Sequence, residues 1–230
     1  MSPVDGKKID RTTRAYDGLS RVDRKRKETK ARIIREAEHL MRTSPVDEVT
    51  IQDITDAADV GHGTFYLHFK SKYEVLLPVV QQVAEDCDRT LQQAMKDIDD
   101  PAEVVCCSAR YMGRMVLEDP LWRWMLKHSG MPLEDMRGAI GHFAARDLGR
   151  GLLSGRFNLP DLAVATSCLG GAFVNGLLTA IDSDDPGRAI DQVAELTLRL
   201  LGISADEARL VAAKSLPDIN EANQSMTGEA

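Results

Sequence analysis

Between Thr50 and Tyr73 the chain gathers side chains suited to polar recognition. The Gln52 amide pairs a donor with an acceptor, the pattern that matches the edge of a nucleotide base. Thr50, Thr64 and Tyr66 carry hydroxyls, His68 a ring N–H and Lys72 an ammonium, all able to donate to phosphate oxygens. His62 and Gly63 stand at a turn, where an imidazole and a bare backbone can approach a groove wall, and Tyr66 suits either role. The chemistry these types support is non-covalent contact with a duplex. For Tyr66 and His68 the competing reading is ring packing against a preceding helix, and for His62 it is a solvated bystander.

Short helices must hold these groups. Thr50 with Asp53 predicts a capping box, followed by Ile51, Ile54 and Ala58 on one face. Asp59 to His62 predicts a sharp turn, because Asp tolerates the left-handed backbone and Gly61 and Gly63 allow close approach. A second helix is expected over 63–69, with Phe65 and Phe69 packed on Ile54 and Val60, and His62, Gly63 and Tyr66 facing away. Ser71 and Glu74 predict another capping box. Upstream, Ile33, Ile34, Ala37, Leu40 and Met41 form the stripe of a helix over 23–43, which Ser44-Pro45 stops.

The pattern Thr50-Ile51-x-x-Ile54, Ala57-Ala58-x-Val60, Gly63-Thr64-Phe65-Tyr66-x-His68-Phe69-x-x-Lys72 resembles the TetR-type bacterial transcription regulators. The resemblance runs from about Ile33 to Leu76. It departs at Met41, where an aromatic is usual, at Pro45 and Asp59, where Gly is usual, and at His62 and Leu67, which bear on which operator is read. It implies an all-α protein with an N-terminal three-helix reader, Leu67 included in its DNA-facing set, and a C-terminal helical domain that dimerises and binds a small effector. The resulting division is 1–22 as a flexible basic arm, 23–74 as the reader, 75–216 as the effector and dimerisation domain, and 217–230 as a disordered tail. Arg11 and Arg14 of the arm are candidates for a minor groove.

The net charge of −7 conceals an asymmetry: residues 1–72 balance at +3 and the remainder at −10. Seven basic and two acidic side chains fall between Arg21 and Arg32, where a phosphate backbone could lie. The four cysteines lack the spacing of a disulfide scaffold or a zinc site, and His128 and His142 have no second ligand at helical spacing, so no metal or cofactor is expected. Gly61-x-Gly63 lacks the strand and lysine of a phosphate loop. No nucleophile–base spacing is recognisable, which argues against an enzyme. With no secretory signal at its start, the chain reads as cytoplasmic.

Downstream, a long helix after Ser71 carries Pro78, and helices are expected near 101–118, 121–129, 132–155, 160–182, 186–202 and 204–215. Leu162 to Ile181 holds no formal charge, but its Gly, Asn and Ser content and flanking Asp161 and Asp182 argue against a membrane span. Leu162, Ala165, Leu169, Ala172 and Gly176, with Ile190, Val193, Thr197 and Leu200, repeat at three- and four-residue steps. That seam suits a four-helix homodimer interface or a contact within one chain. Met112, Met115, Trp122, Trp124, Met125, Met131, Met136 and Phe143 suit either plain core or an apolar effector pocket, and Arg110, Arg114, Arg123, His128 and Asn175 are candidate polar handles. The expected function is a dimeric repressor that binds a palindromic operator and is released by a small apolar effector. The alternative is a DNA-binding regulator without such an effector.

Overall fold

The computed structural model describes residues 20–128 and 134–219, with side chains throughout except at 134–140. Arg11, Arg14 and Met131, and the side chain of Met136, lie outside the described residues. Ten helices account for the described chain: α1 Arg21–Thr43, α2 Ile51–Ala57, α3 His62–Tyr66, α4 Lys72–Ala94, α5 Pro101–Glu118, α6 Pro120–His128, α7 Glu134–Leu153, α8 Leu162–Ile181, α9 Pro186–Leu200 and α10 Ala205–Ala212. There is no strand among the described residues.

Local chemistry sets most boundaries. Ser20, Thr50, Ser71, Asp100, Asp161, Asp185 and Ser204 each accept an N–H of the helix they open, satisfying a donor that would otherwise lack an intrahelical partner. At Thr50 the box is reciprocal, since the Asp53 carboxylate accepts the Thr50 N–H at 2.8 Å. At Ser71 it is not: Glu74 reaches one residue further back, to the Lys70 N–H at 2.7 Å. α1 begins two residues before the expected start, and α3 is shorter than the 63–69 expected, closing at Tyr66. α4 runs through Pro78 without interruption. Ile219 and Leu216 pack against α4 and α5, so the first residues of the expected tail belong to the fold.

One apolar cluster runs from Ile33, Ala37 and Met41 of α1 through Ile54, Phe65 and Phe69 into Val75 to Val83, Leu121 to Leu126 and Ile190. Packing is thus continuous across the boundary expected near residue 74. A second cluster joins α5, α7, α8, α9 and α10 through Cys106, Leu148, Leu169 and Leu198. Gly113 lets α5 and α9 approach closely: a Cβ there would lie 2.5 Å from Ile190 Cγ2.

Candidate nucleic-acid interface and effector domain

The α2–α3 pair is held by a small core. Phe65 and Phe69 are buried with ring centroids 5.9 Å apart, and Ile54 and Ala58 close against them. Between the helices the chain turns through Asp59 at φ 48°, the one described non-glycine with positive φ. Its carbonyl accepts the Arg32 guanidinium at 3.4 Å. Neither Gly61 nor Gly63 adopts positive φ, and a Cβ on either would meet nothing within 4 Å. The chain itself therefore does not require these glycines, and the room they leave opens outward.

The face so presented is polar and pre-ordered. His62 Nε2 lies 2.6 Å from Gln52 Oε1, and Gln52 Nε2 donates to Asp56 Oδ1 at 2.7 Å. Tyr66, 53% exposed, and Leu67, 71% exposed, stand beside them, with the His62 and Tyr66 rings 6.4 Å apart. Thr64 and His68 are half-buried at its edge. His68 lies beside the Phe69 ring, and burial, with Arg26 and Lys30 nearby, holds its pKa below the ordinary histidine value. Thr50, Gln52, His62, Gly63, Tyr66 and Leu67 are thus brought to one exposed region around α2 and α3.

Lys72 does not join them in the manner expected. Its Nζ donates to the carbonyls of Val46 at 3.0 Å and Asp47 at 3.1 Å. An ammonium at the start of α4 meets carbonyls turned toward it by the 44–50 loop, so its charge ties the chain together instead of standing open to phosphate. The same loop receives α6, where Trp124 Nε1 donates to Asp47 Oδ1 at 3.0 Å. Beside it, Arg42 Nε pairs with Asp119 Oδ2 at 2.8 Å, while Asp119 Oδ1 accepts the Leu121 N–H at 2.9 Å.

The effector-domain candidates divide. Trp122, Met125, Met112 and Met115 contribute to the larger cluster, and Met115 Sδ lies 3.7 Å from Cys87 Sγ. Trp124 points to the reader, and His128 stacks on it at 4.0 Å, with its Nδ1 2.9 Å from the Trp124 carbonyl. Arg110 is buried but engaged: Nε donates to Asp191 at 2.8 Å and Nη1 to the Lys214 carbonyl at 2.7 Å. Arg114 reaches the same Asp191 oxygen at 3.1 Å, and Arg123 donates to the Val116 and Leu117 carbonyls that end α5. Asn175 is exposed on α8 and donates to Gly171 O at 2.9 Å, away from any interior. Each of these groups thus already has a hydrogen-bond partner, four residues back for His128 and Asn175 and far along the chain for Arg110.

A different polar group emerges between α4 and α7. Arg146 grips Asp88 with two bonds of 2.8 and 2.9 Å and also reaches buried Asp147 at 2.9 Å, its guanidinium 5.9 Å from the Phe143 ring. Phe143 and Asp88 line an open groove of about 480 Å³ with Glu85, Arg89, Gln92 and Gln93. The Tyr111 hydroxyl and Trp122 indole N–H are buried with no hydrogen-bond partner among the described residues. The Asp88–Arg146 pair leaves no spacing signature, because its members lie far apart along the chain.

On the opposite side, α8 and α9 expose an apolar face. Ala172, Gly176, Val193, Leu196, Thr197 and Leu200 line a groove of about 440 Å³ with Arg199. Of the seam residues, Ala165, Leu169 and Ile190 instead turn into this chain's own core, with Leu162 packed against it. The seam therefore mixes two faces: its repeat marked both helices as two-sided without separating the sides. α8 is long and apolar enough, by length and composition, to cross a membrane, and only 17% of its apolar window is buried.

Residues 33–79 match the model of bacterial regulatory proteins of the tetR family, and residues 100–214 match the tetracyclin repressor-like C-terminal domain. The solved structure of RolR with resorcinol is 36% identical, covering 86% of this chain and 99% of that one, with a TM-score of 0.77. RolR without ligand is 35% identical over 82% and 99%, with a TM-score of 0.73. The regulator EthR of Mycobacterium tuberculosis is 33% identical over 60 residues, 26% of this chain, and the match spans only 28% of the length of EthR. The chain belongs to the tetR family of bacterial regulatory proteins, whose helix-turn-helix it presents at α2 and α3 as a DNA-binding regulator of transcription.

Proposed function

We propose that the chain acts in the cytoplasm as a homodimeric repressor that holds an inverted-repeat operator through α3 of each copy. A small, largely apolar effector carrying hydrogen-bonding groups releases it. The observation that carries the DNA reading is the outward face of Gln52, His62 and Tyr66, ordered before any partner arrives by the 2.6 Å Gln52–His62 contact. Two such faces related by a two-fold axis suit successive major grooves. The exposed α8–α9 face supports the dimer, because an apolar surface of this kind is otherwise left in water.

Support for the effector comes from two sources. RolR, matched along nearly its whole length, binds resorcinol. In this chain the Trp122 N–H and Tyr111 hydroxyl, unpartnered among the described residues, and the Asp88–Arg146–Asp147 group are candidate polar anchors. A hydroxylated aromatic fits that mixture of an apolar body and a few hydrogen bonds. Such a ligand shifts the dimer between conformers only by its difference in affinity for them.

The test is selection of random duplex DNA by the purified chain at stated salt. An inverted repeat is expected, less strongly enriched by Tyr66→Ala; enrichment of nothing, even at low salt, would overturn the reading. A thermal-shift series with dihydroxybenzenes and other hydroxylated aromatics then addresses the effector. The second reading, a regulator with no such ligand, draws on the bidentate Arg146–Asp88 pair, which already satisfies the arginine. Absence of stabilisation by any pocket-sized compound favours it.

A further inference from the structure

α1 is two helices in one. From Ile33 onward it has a buried stripe of Ile33, Ala37 and Met41. From Arg21 to Glu28 every residue is exposed, and the one large apolar side chain there, Val22, is 75% exposed. This segment also precedes residue 33, where the match to the tetR-family model begins. A short helix that buries nothing is marginal in water. Here like charges crowd it further at three- and four-residue spacing: Arg21 with Arg24 and Lys25, Arg24 with Lys27, and Lys27 with Lys30. Within the helix, the Ser20 cap and the Arg24–Glu28 pair at 3.9 Å stand against that repulsion.

Two of the cations are turned inward. Arg26 and Lys30 continue the Ile33–Ala37 face by steps of four and three, and so meet the reader: Arg26 Nη2 lies 3.5 Å from the Leu67 carbonyl, and Lys30 Nζ lies 5.4 Å from the centre of the Phe69 ring. These contacts fix the basic segment beside the C-terminal end of α3, next to exposed Leu67. Arg21, Lys25 and Lys27 have no ion pair or hydrogen bond among the described residues.

We propose that Arg21, Arg24, Lys25 and Lys27 form a phosphate rail, a second contact with duplex DNA that grips the backbone outside the bases read by α3. The proposal rests on the DNA-binding reading above. The seven residues from Arg21 to Lys27 span about 10 Å at the rise of a helix, the length of about three phosphate steps along one strand. Binding there neutralises the crowded charges, so the duplex supplies the stabilisation that the segment lacks in isolation. The rail adds affinity without sequence preference.

The test compares the full chain with a variant carrying Arg21→Gln, Arg24→Gln, Lys25→Gln and Lys27→Gln; glutamine preserves helix propensity and most of the side-chain length. A control places Gln at Arg150, Lys96, Lys127 and Arg209, exposed cations on α7, α6, α10 and the segment after α4. Affinity for the selected operator is measured across a salt series, with a hydroxyl-radical footprint of each complex. The rail variant is expected to lower the slope of log affinity against log salt by about 0.9 for each phosphate it no longer neutralises, to shorten the footprint at both outer edges, and to select the same inverted repeat. An unchanged slope and footprint, or an equal decline in the control, would overturn the rail while leaving the reader intact. If the parent chain itself selects no duplex, the DNA-binding reading falls and the rail with it.

Discussion

The outer faces of α3 and α8 are both exposed, and they differ in almost everything else. The α3 face is built from Gln52, His62 and Tyr66, with Gln52 and His62 already linked by a hydrogen bond, whereas the α8–α9 face offers Ala172, Val193, Leu196 and Leu200 around an apolar groove. A polar face loses little by standing in water and gains from a partner that supplies matched donors and acceptors. An apolar face gains chiefly by leaving water, whatever covers it. Exposure alone therefore says that a surface is available; its chemistry says which kind of partner it suits.

The contrast can be broken most severely at α8–α9. Leu196→Glu with Leu200→Glu places four carboxylates across a two-fold interface, and sedimentation is expected to show a monomer. Because two linked readers gain from avidity, operator affinity should fall on the order of 100-fold; a dimer that survives would show that another face pairs. Tyr66→Ala addresses the other surface. It should cost about tenfold in operator affinity, within the range for one base-edge interaction, with unfolding unchanged to about 0.5 kcal/mol because the ring is exposed.

Thr50→Ala addresses the support of that face. Removal of the cap should lower stability by about 1 kcal/mol, read as a shifted urea midpoint with the same slope. The smallest effect concerns His68. Its folded pKa lies below the unfolded value, so as pH falls through about 6.5 the unfolded chain takes up the proton first and stability declines. Thermal melts at pH 7.5 and 5.5 should show a small decline that His68→Gln removes; an equal decline in that variant would place the titration elsewhere.

The helices were legible in the sequence because their signals are local. Ser, Thr and Asp caps and the prolines at 101 and 186 act within a turn of where they stand, and the expected bounds fall within a few residues of those observed. The α2–α3 face was legible for the same reason, since a helix-turn-helix is set by about twenty consecutive residues. The partners of Lys72, the Val46 and Asp47 carbonyls, were not legible because they lie about twenty-five residues upstream. The bond from Arg110 to the Lys214 carbonyl and the outward rotation of Asn175 were not legible either, for residue type and region do not reveal them. Asp88, Arg146 and Asp147 escaped notice because a pair 58 residues apart has no spacing.

The two ties of the 44–50 loop and the end of α1 to α6 have a mechanical meaning. A body fastened at one point swings in any direction, but one fastened at two turns chiefly about the line joining them. Trp124 on Asp47 and Arg42 on Asp119 are two such ties, and they add to apolar packing that already runs from α1 through α4 into α6. A displacement of α6 would therefore reach the reader through a continuous body, with little of it lost at a loose joint.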